Sequence, residues 1–152
     1  MKILIAVAAV GILMASNVLA ATNTASLVDV ISSDYGDTNS LLRVVELERN
    51  ANTSKLRLTY KKMESSVGSS MFIMLAFYEV AKSRGMEYFI NLKEWEDSDG
   101  SRLYIGGFTN TKDADIRKEF GDKYALTNEY GQARGYMSVS QCCILFERRL
   151  KK

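Results

Sequence analysis

The chain has 152 residues, with 20 basic against 18 acidic, a net charge of +2, two cysteines, and neither histidine nor proline. Charge this balanced gives no electrostatic basis for nucleic-acid binding, which depends on neutralising phosphates. Without histidine the commonest general base and metal ligand is missing, and a Ser-His-Asp or Cys-His site is impossible.

The first residues have the grammar of a secretory signal. Lys2 supplies a positive start, Ile3 to Met14 is apolar apart from Gly11, and Val18 and Ala20 are the small residues a signal peptidase inspects. Cleavage after Ala20 is the expectation. The apolar stretch is shorter than the roughly 20 residues a spanning helix wants, and no cysteine near the cut points to a lipoprotein. The pattern predicts a signal at 1–20, a mobile leader at 21–40 with one short strand at Leu27 to Ile31, and a single domain at 41–152. The product is expected to be exported, periplasmic or secreted, with no membrane span after cleavage.

Leu41 to Glu48 is apolar and β-branched enough for a strand, and Asn50 to Thr53 reads as a turn. From Lys55 to Lys61 apolar and polar residues alternate, which puts Leu56, Leu58 and Tyr60 on one face of a half-buried strand. Ser69 or Ser70 is placed to cap a helix running to Arg84 and stopped by Gly85. Its core stripe is Ile73, Ala76, Phe77, Val80 and Ala81, and Met71, Leu75 and Tyr78 form a second apolar row. That second row predicts either burial beneath a loop or an interface with a partner, including a second copy in a homodimer. Tyr88 to Trp95 and Leu103 to Phe108 read as strands around an acidic turn at Glu96 to Gly100. Asn110 or Thr111 caps one short helix with Ile116 and Phe120 as its contacts and Gly121 as its end. Tyr136 to Glu147 reads as the last strand. Strands, one main helix and then more strands predict an α+β domain: an antiparallel sheet of four to five strands with one main helix packed on one face.

Four features are candidate sites. In the acidic loop, Gly100 in the glycine place of an EF-hand would put Trp95 and Gly106 where the pattern demands Asp and Glu, so that match fails. A looser calcium site on Asp97 and Asp99 competes with a solvated hairpin turn, the favoured reading. Glu94, Glu96, Asp97 and Asp99 could pair for glycoside hydrolysis, but no apolar pocket that would raise a carboxyl pKa is evident. Cys142 and Cys143 are adjacent, too close for ordinary disulfide geometry. On a strand they point to opposite faces, as packing residues, as an intermolecular disulfide through the outer thiol, or as a vicinal redox pair. Tyr124, Tyr130 and Tyr136, with Trp95, form either an aromatic ligand surface or, as favoured for the tyrosines, the anchors of a long loop.

Within Leu56 to Glu96, Ala76 and Ala81 on the helix are followed by Gly85-Met86-Glu87-Tyr88-Phe89-Ile90. This order of strand, alanine-containing helix and Gly-x-x-Tyr-Phe strand resembles a group of small bacterial envelope proteins of unknown function, many of them lipoproteins. The resemblance implies a fold and a compartment and no catalytic residue; the chain departs from the group in lacking the lipoprotein cysteine. The reading is an exported binding or interaction module, acting on a protein or envelope component without cofactor, metal or nucleic acid. A small hydrolase or redox protein using the carboxylates or the cysteine pair is the alternative.

Overall fold

The computed structural model describes residues 27–35, 41–62, 66–125 and 135–150. The expected signal at 1–20, residues 21–26 and 36–40 of the leader, and Tyr130 lie outside them. Among the described residues six strands form one antiparallel sheet: β1 (Asp29–Ile31), β2 (Leu41–Arg49), β3 (Thr53–Lys62), β4 (Tyr88–Glu96), β5 (Arg102–Thr109) and β6 (Met137–Ser138). Their spatial order is β1-β2-β3-β5-β4-β6. Among the described residues three α-helices accompany them, α1 (Ser66–Arg84), α2 (Ile116–Phe120) and α3 (Val139–Leu150). The class is α+β, as expected, with two corrections. The sheet has six strands rather than four to five, and α1 is joined by a second long helix, α3.

The inward row of β3 carries Leu56 and Leu58, both buried, while Tyr60 is exposed near the strand's end. The expected stripe of α1 is buried on this side of the sheet at all five positions. The Phe77 ring sits 6.0 to 6.3 Å from the rings of Phe89, Tyr104 and Phe108, in the offset or edge-on contacts aromatic rings prefer. α1 begins at Ser66, ahead of the expected serines. It ends in a Schellman motif: Gly85 has φ +66°, its N–H donates to Lys82 O, and the Met86 N–H donates to Ala81 O.

The expected final strand is largely helix. Only Met137 and Ser138 pair with β4, after which Ser138 Oγ accepts from the Gln141 N–H at 3.1 Å, an N-cap that starts α3. Cys142 and Phe146, one turn apart, are its buried contacts, with Val139 and Cys143 packed beside them. α2 likewise starts later than expected, at Ile116. Its cap is Asp115, which accepts from the Lys118 N–H, whereas Asn110 Oδ1 accepts from Glu87 N–H. α2 covers the other side of the sheet, where Phe120 packs with Ile90 and Leu92.

Candidate binding face

Strand alternation turns Leu42, Val44 and Glu46 of β2 inward, so a carboxylate stands in a row of aliphatic side chains. All three are buried. A buried carboxylate survives only if its oxygens are filled. Glu46 Oε1 accepts from Ser54 Oγ at 2.5 Å and Arg49 Nε at 2.8 Å. Its Oε2 accepts from Arg49 Nη2 at 2.5 Å and the Val28 N–H at 3.0 Å. Arg84, from the end of α1, comes within 3.8 Å of Oε1 with its side chain 5 % exposed. It donates to the carbonyls of Asn50, Ala51 and Thr53 and lies over the Phe108 ring. Burial alone would push the Glu46 carboxyl up, but the hydrogen bonds from Arg49, Ser54 and Val28 outweigh it and hold the group below its ordinary value. Burial draws Arg84 down to about 10, with Glu46 opposing the shift. The Glu46 side chain is 0 % exposed, so this cluster clamps the segment before β1 to β2, β3 and α1.

The acidic loop is a hairpin turn. The Asp97 N–H donates to Ser101 O, the Gly100 N–H donates to Asp97 O, and Gly100 has φ +78°. Asp99 Oδ1 accepts from the Ser101 N–H and hydroxyl, which hold its carboxyl below the usual range. Asp97 receives Arg57 Nη2 at 3.1 Å. Among the described residues no group of three or more His, Cys, Asp or Glu is placed to hold a metal ion.

Cys142 and Cys143 lie on α3, not on a strand, so the opposite-face geometry expected for them is corrected to adjacent positions on one helix. Both are free; Cys142 is buried and Cys143 half-buried. Burial pushes the Cys142 thiol up, away from the reactive thiolate. The row Met71, Leu75 and Tyr78 joins the core cluster that also holds Cys142 and Phe146. Leu75 is 5 % and Tyr78 3 % exposed, and the Tyr78 and Phe146 rings are 5.6 Å apart. Tyr124 and Tyr136 pack beside Ile90, Leu92 and Phe120, and the Tyr136 hydroxyl donates to Ala114 O at 2.9 Å. They anchor the segment that follows β5.

A shallow open groove of about 610 Å³ runs between β1 and the second half of α1, lined by Val28, Asp29, Tyr35, Glu79, Lys82 and neighbours. Its charges are met locally: Lys82 lies 3.8 Å from Glu79, and Asp29 pairs with Arg43.

The sheet face turned away from α1 presents a different arrangement. The register aligns Arg57, Leu103 and Trp95 in one row across β3, β5 and β4, and Lys55, Ile105 and Lys93 in the next. Lys93 Nζ is 5.4 Å from the centroid of the Trp95 ring and Lys55 Nζ is 6.0 Å from it, both within cation–π range. Glu94 and Glu96 alternate onto the other side, opposite Tyr104 and Arg102. Adjacent residues of β4 thus sort cations and indole to one face and carboxylates to the other. Arg57 is held by Asp97, whereas neither lysine has a carboxylate within ion-pair distance among the described residues. Two ammonium groups over a half-buried indole, with no ion-pair partner among the described residues although Glu48 is the cross-strand neighbour of Lys55, can offer charge to an anion. Sequence reading singled out Trp95 but missed both lysines. Alternation in each strand was the available signal, but it could not reveal that β5 sits between β3 and β4.

No protein-family model, curated protein or solved structure matches the chain.

Proposed function

We propose that the chain is an exported binding module, periplasmic or secreted, whose working face is the outer side of the sheet around Trp95. The observation that carries this reading is the pair of rows Arg57–Leu103–Trp95 and Lys55–Ile105–Lys93. They put the ammonium groups of Lys55 and Lys93, neither ion-paired among the described residues, over one indole on a strand-paired sheet. A preformed cation–aromatic surface lets an anionic partner bind without ordering a loop, which lowers the entropic cost of association. Export is supported by the run from Lys2 to Ala20; among the described residues no helix is long and apolar enough to cross a membrane.

Trp95 is the sole tryptophan, so its emission reports on this face alone. Titration with fractionated envelope extract is expected to give a saturable change in that emission, abolished in Lys55→Gln/Lys93→Gln. No change with any fraction, or a change equal in the double variant, would reject the face as the working surface. Mass spectrometry of the exported protein is expected to find Ala21 at the N-terminus; an intact Met1 would remove the processing step.

A further inference from the structure

We infer that the outward face of α3 rests on a bilayer of anionic phospholipid, with Ile144 and Leu145 entering the headgroup layer beside a cationic run of sequence. α3 packs inward through Cys142 and Phe146, on the side of the sheet opposite the Trp95 rows, so this surface is separate from the one proposed above. Helical geometry turns the two positions between those contacts outward: Ile144 is 56 % and Leu145 50 % exposed. Ser140 and Gln141, one turn earlier, are exposed and uncharged. Arg148 follows Ile144 by four residues and Leu145 by three, the spacing of one helix face. The sequence continues Arg149-Leu150-Lys151-Lys152, and Glu147 is the one acidic residue on α3.

The combination of projecting aliphatic side chains with adjacent positive charge selects the occupant. A helix lying on a membrane gains from both at once, because apolar groups enter the interface while basic residues meet the negative lipid surface. Two aliphatic side chains are too little for a second copy, since a stable dimer buries about 800 Å² on each partner. No aromatic residue stands at positions 140, 141, 144, 145 or 148 to stack a nucleic-acid base. The other large exposed apolar residues, Leu27, Ile31, Leu41, Leu47 and Tyr60, are spread over β1, β2, β3 and the segment before β1, and no two are neighbours in the chain. Ile31 lies across from Arg43 and Leu41 across from Lys62, each a single apolar residue opposite a charge.

The test is flotation of the purified exported protein with two kinds of vesicle, pure phosphatidylcholine and phosphatidylcholine mixed with phosphatidylglycerol, at low and high salt. Near-ultraviolet circular dichroism checks that each variant keeps its packing. Binding is expected only with phosphatidylglycerol, and should fall at high salt as the surface charge is screened. Ile144→Ser/Leu145→Ser should weaken it about tenfold. Arg148→Gln/Lys151→Gln/Lys152→Gln should weaken it about fivefold for each charge removed. Leu41→Ser and Lys55→Gln/Lys93→Gln, which change exposed positions outside α3, should bind as the native protein does. Should the serine pair unfold, the charge variant and the salt dependence decide. No binding, equal binding to the neutral vesicles, or binding unchanged in the α3 variants overturns the inference. A loss confined to Lys55→Gln/Lys93→Gln overturns it too, and carries the lipid to the Trp95 face instead.

Discussion

Phe77 of α1 occupies the space that a side chain at position 106 would need: a Cβ built on Gly106 would lie 2.7 Å from Phe77 Cε1 and 2.9 Å from Phe108 Cζ. The next residue repeats the arrangement on the opposite face, where a Cβ on Gly107 would meet Phe120 Cζ at 2.8 Å and Leu92 Cδ1 at 2.9 Å. Two consecutive glycines of β5 therefore let one aromatic ring approach the sheet from each side. Gly106→Ala is expected to destabilise the domain by about 1–3 kcal/mol, the usual cost of overpacking. Gly107→Ala should cost less, because Phe120 sits on a single-turn helix that can shift while Phe77 is fixed among three rings. Urea unfolding of the two variants checks the order, and the reverse order would mean that α2 is the more rigid cover.

Phe77→Ala tests the same contact from the other partner. Truncating a buried phenylalanine costs about 3–5 kcal/mol, a large share of a stability of about 5–15 kcal/mol. Denaturant titration should show the loss, and a change below about 1 kcal/mol would contradict the packing of its ring against Phe89, Tyr104 and Phe108.

The Glu46 cluster predicts both a mutant effect and a pH dependence. Glu46→Gln keeps the shape but leaves the buried guanidinium groups of Arg49 and Arg84 without their counter-charge. Breaking such a buried pair typically costs about 3–5 kcal/mol. The folded-state pKa of Glu46 lies below its ordinary value of 4.5, so its contribution is present above the unfolded pKa and is lost as pH falls through the folded one. Stability of the native sequence should drop on acidification below about pH 4.5, and the drop should be smaller in Glu46→Gln. Equal slopes in the two proteins would remove Glu46 from the account.

How far the fold was legible follows from how each element signals itself. The stripe from Ile73 to Ala81 and the alternation at Leu56 and Leu58 are long, regular patterns, and both sets are buried as expected. Cys142 to Phe146 is a short apolar run, which periodicity alone cannot divide between strand and helix. Two helix signals were nonetheless present. Ser138 and Gln141 have capping-box spacing, and Val139, Cys142, Cys143 and Phe146 recur at helical intervals. Glu46 was legible as a polar residue in an inward row, but its partners were not. Arg84 reaches it from the far end of α1, a contact set by tertiary packing rather than by local pattern. The pair of lysines around Trp95 was hidden for the same reason.

The row Met71, Leu75 and Tyr78 yields a prediction about α3. The Phe146 ring packs at a tilt against Tyr78, while Ile144 is 56 % exposed. Phe146→Ala should cost about 3–5 kcal/mol, and Ile144→Ala should stay within about 0.5 kcal/mol. Leu75→Glu would bury an unpaired carboxylate and is expected to abolish the folded near-ultraviolet signal. A stable Leu75→Glu protein with native spectra would show that α3 does not seal this row.

The two cysteines, adjacent in sequence, should differ sharply in reactivity. Cys142 is buried in the core and burial disfavours its thiolate; Cys143 is half-buried at the edge of the same cluster. Alkylation follows the accessible thiolate, so the native protein should take up one equivalent of iodoacetamide quickly and the second only on unfolding. Cys143→Ser should remove the fast equivalent and leave stability nearly unchanged. Cys142→Ser should keep the fast equivalent and cost about 1–3 kcal/mol, because a hydroxyl replaces a thiol in an apolar setting. Peptide mapping after a short pulse of reagent distinguishes the two sites directly. Label on Cys142 in the folded protein, at a rate matching Cys143, would mean that α3 opens readily and does not form a lasting part of the core.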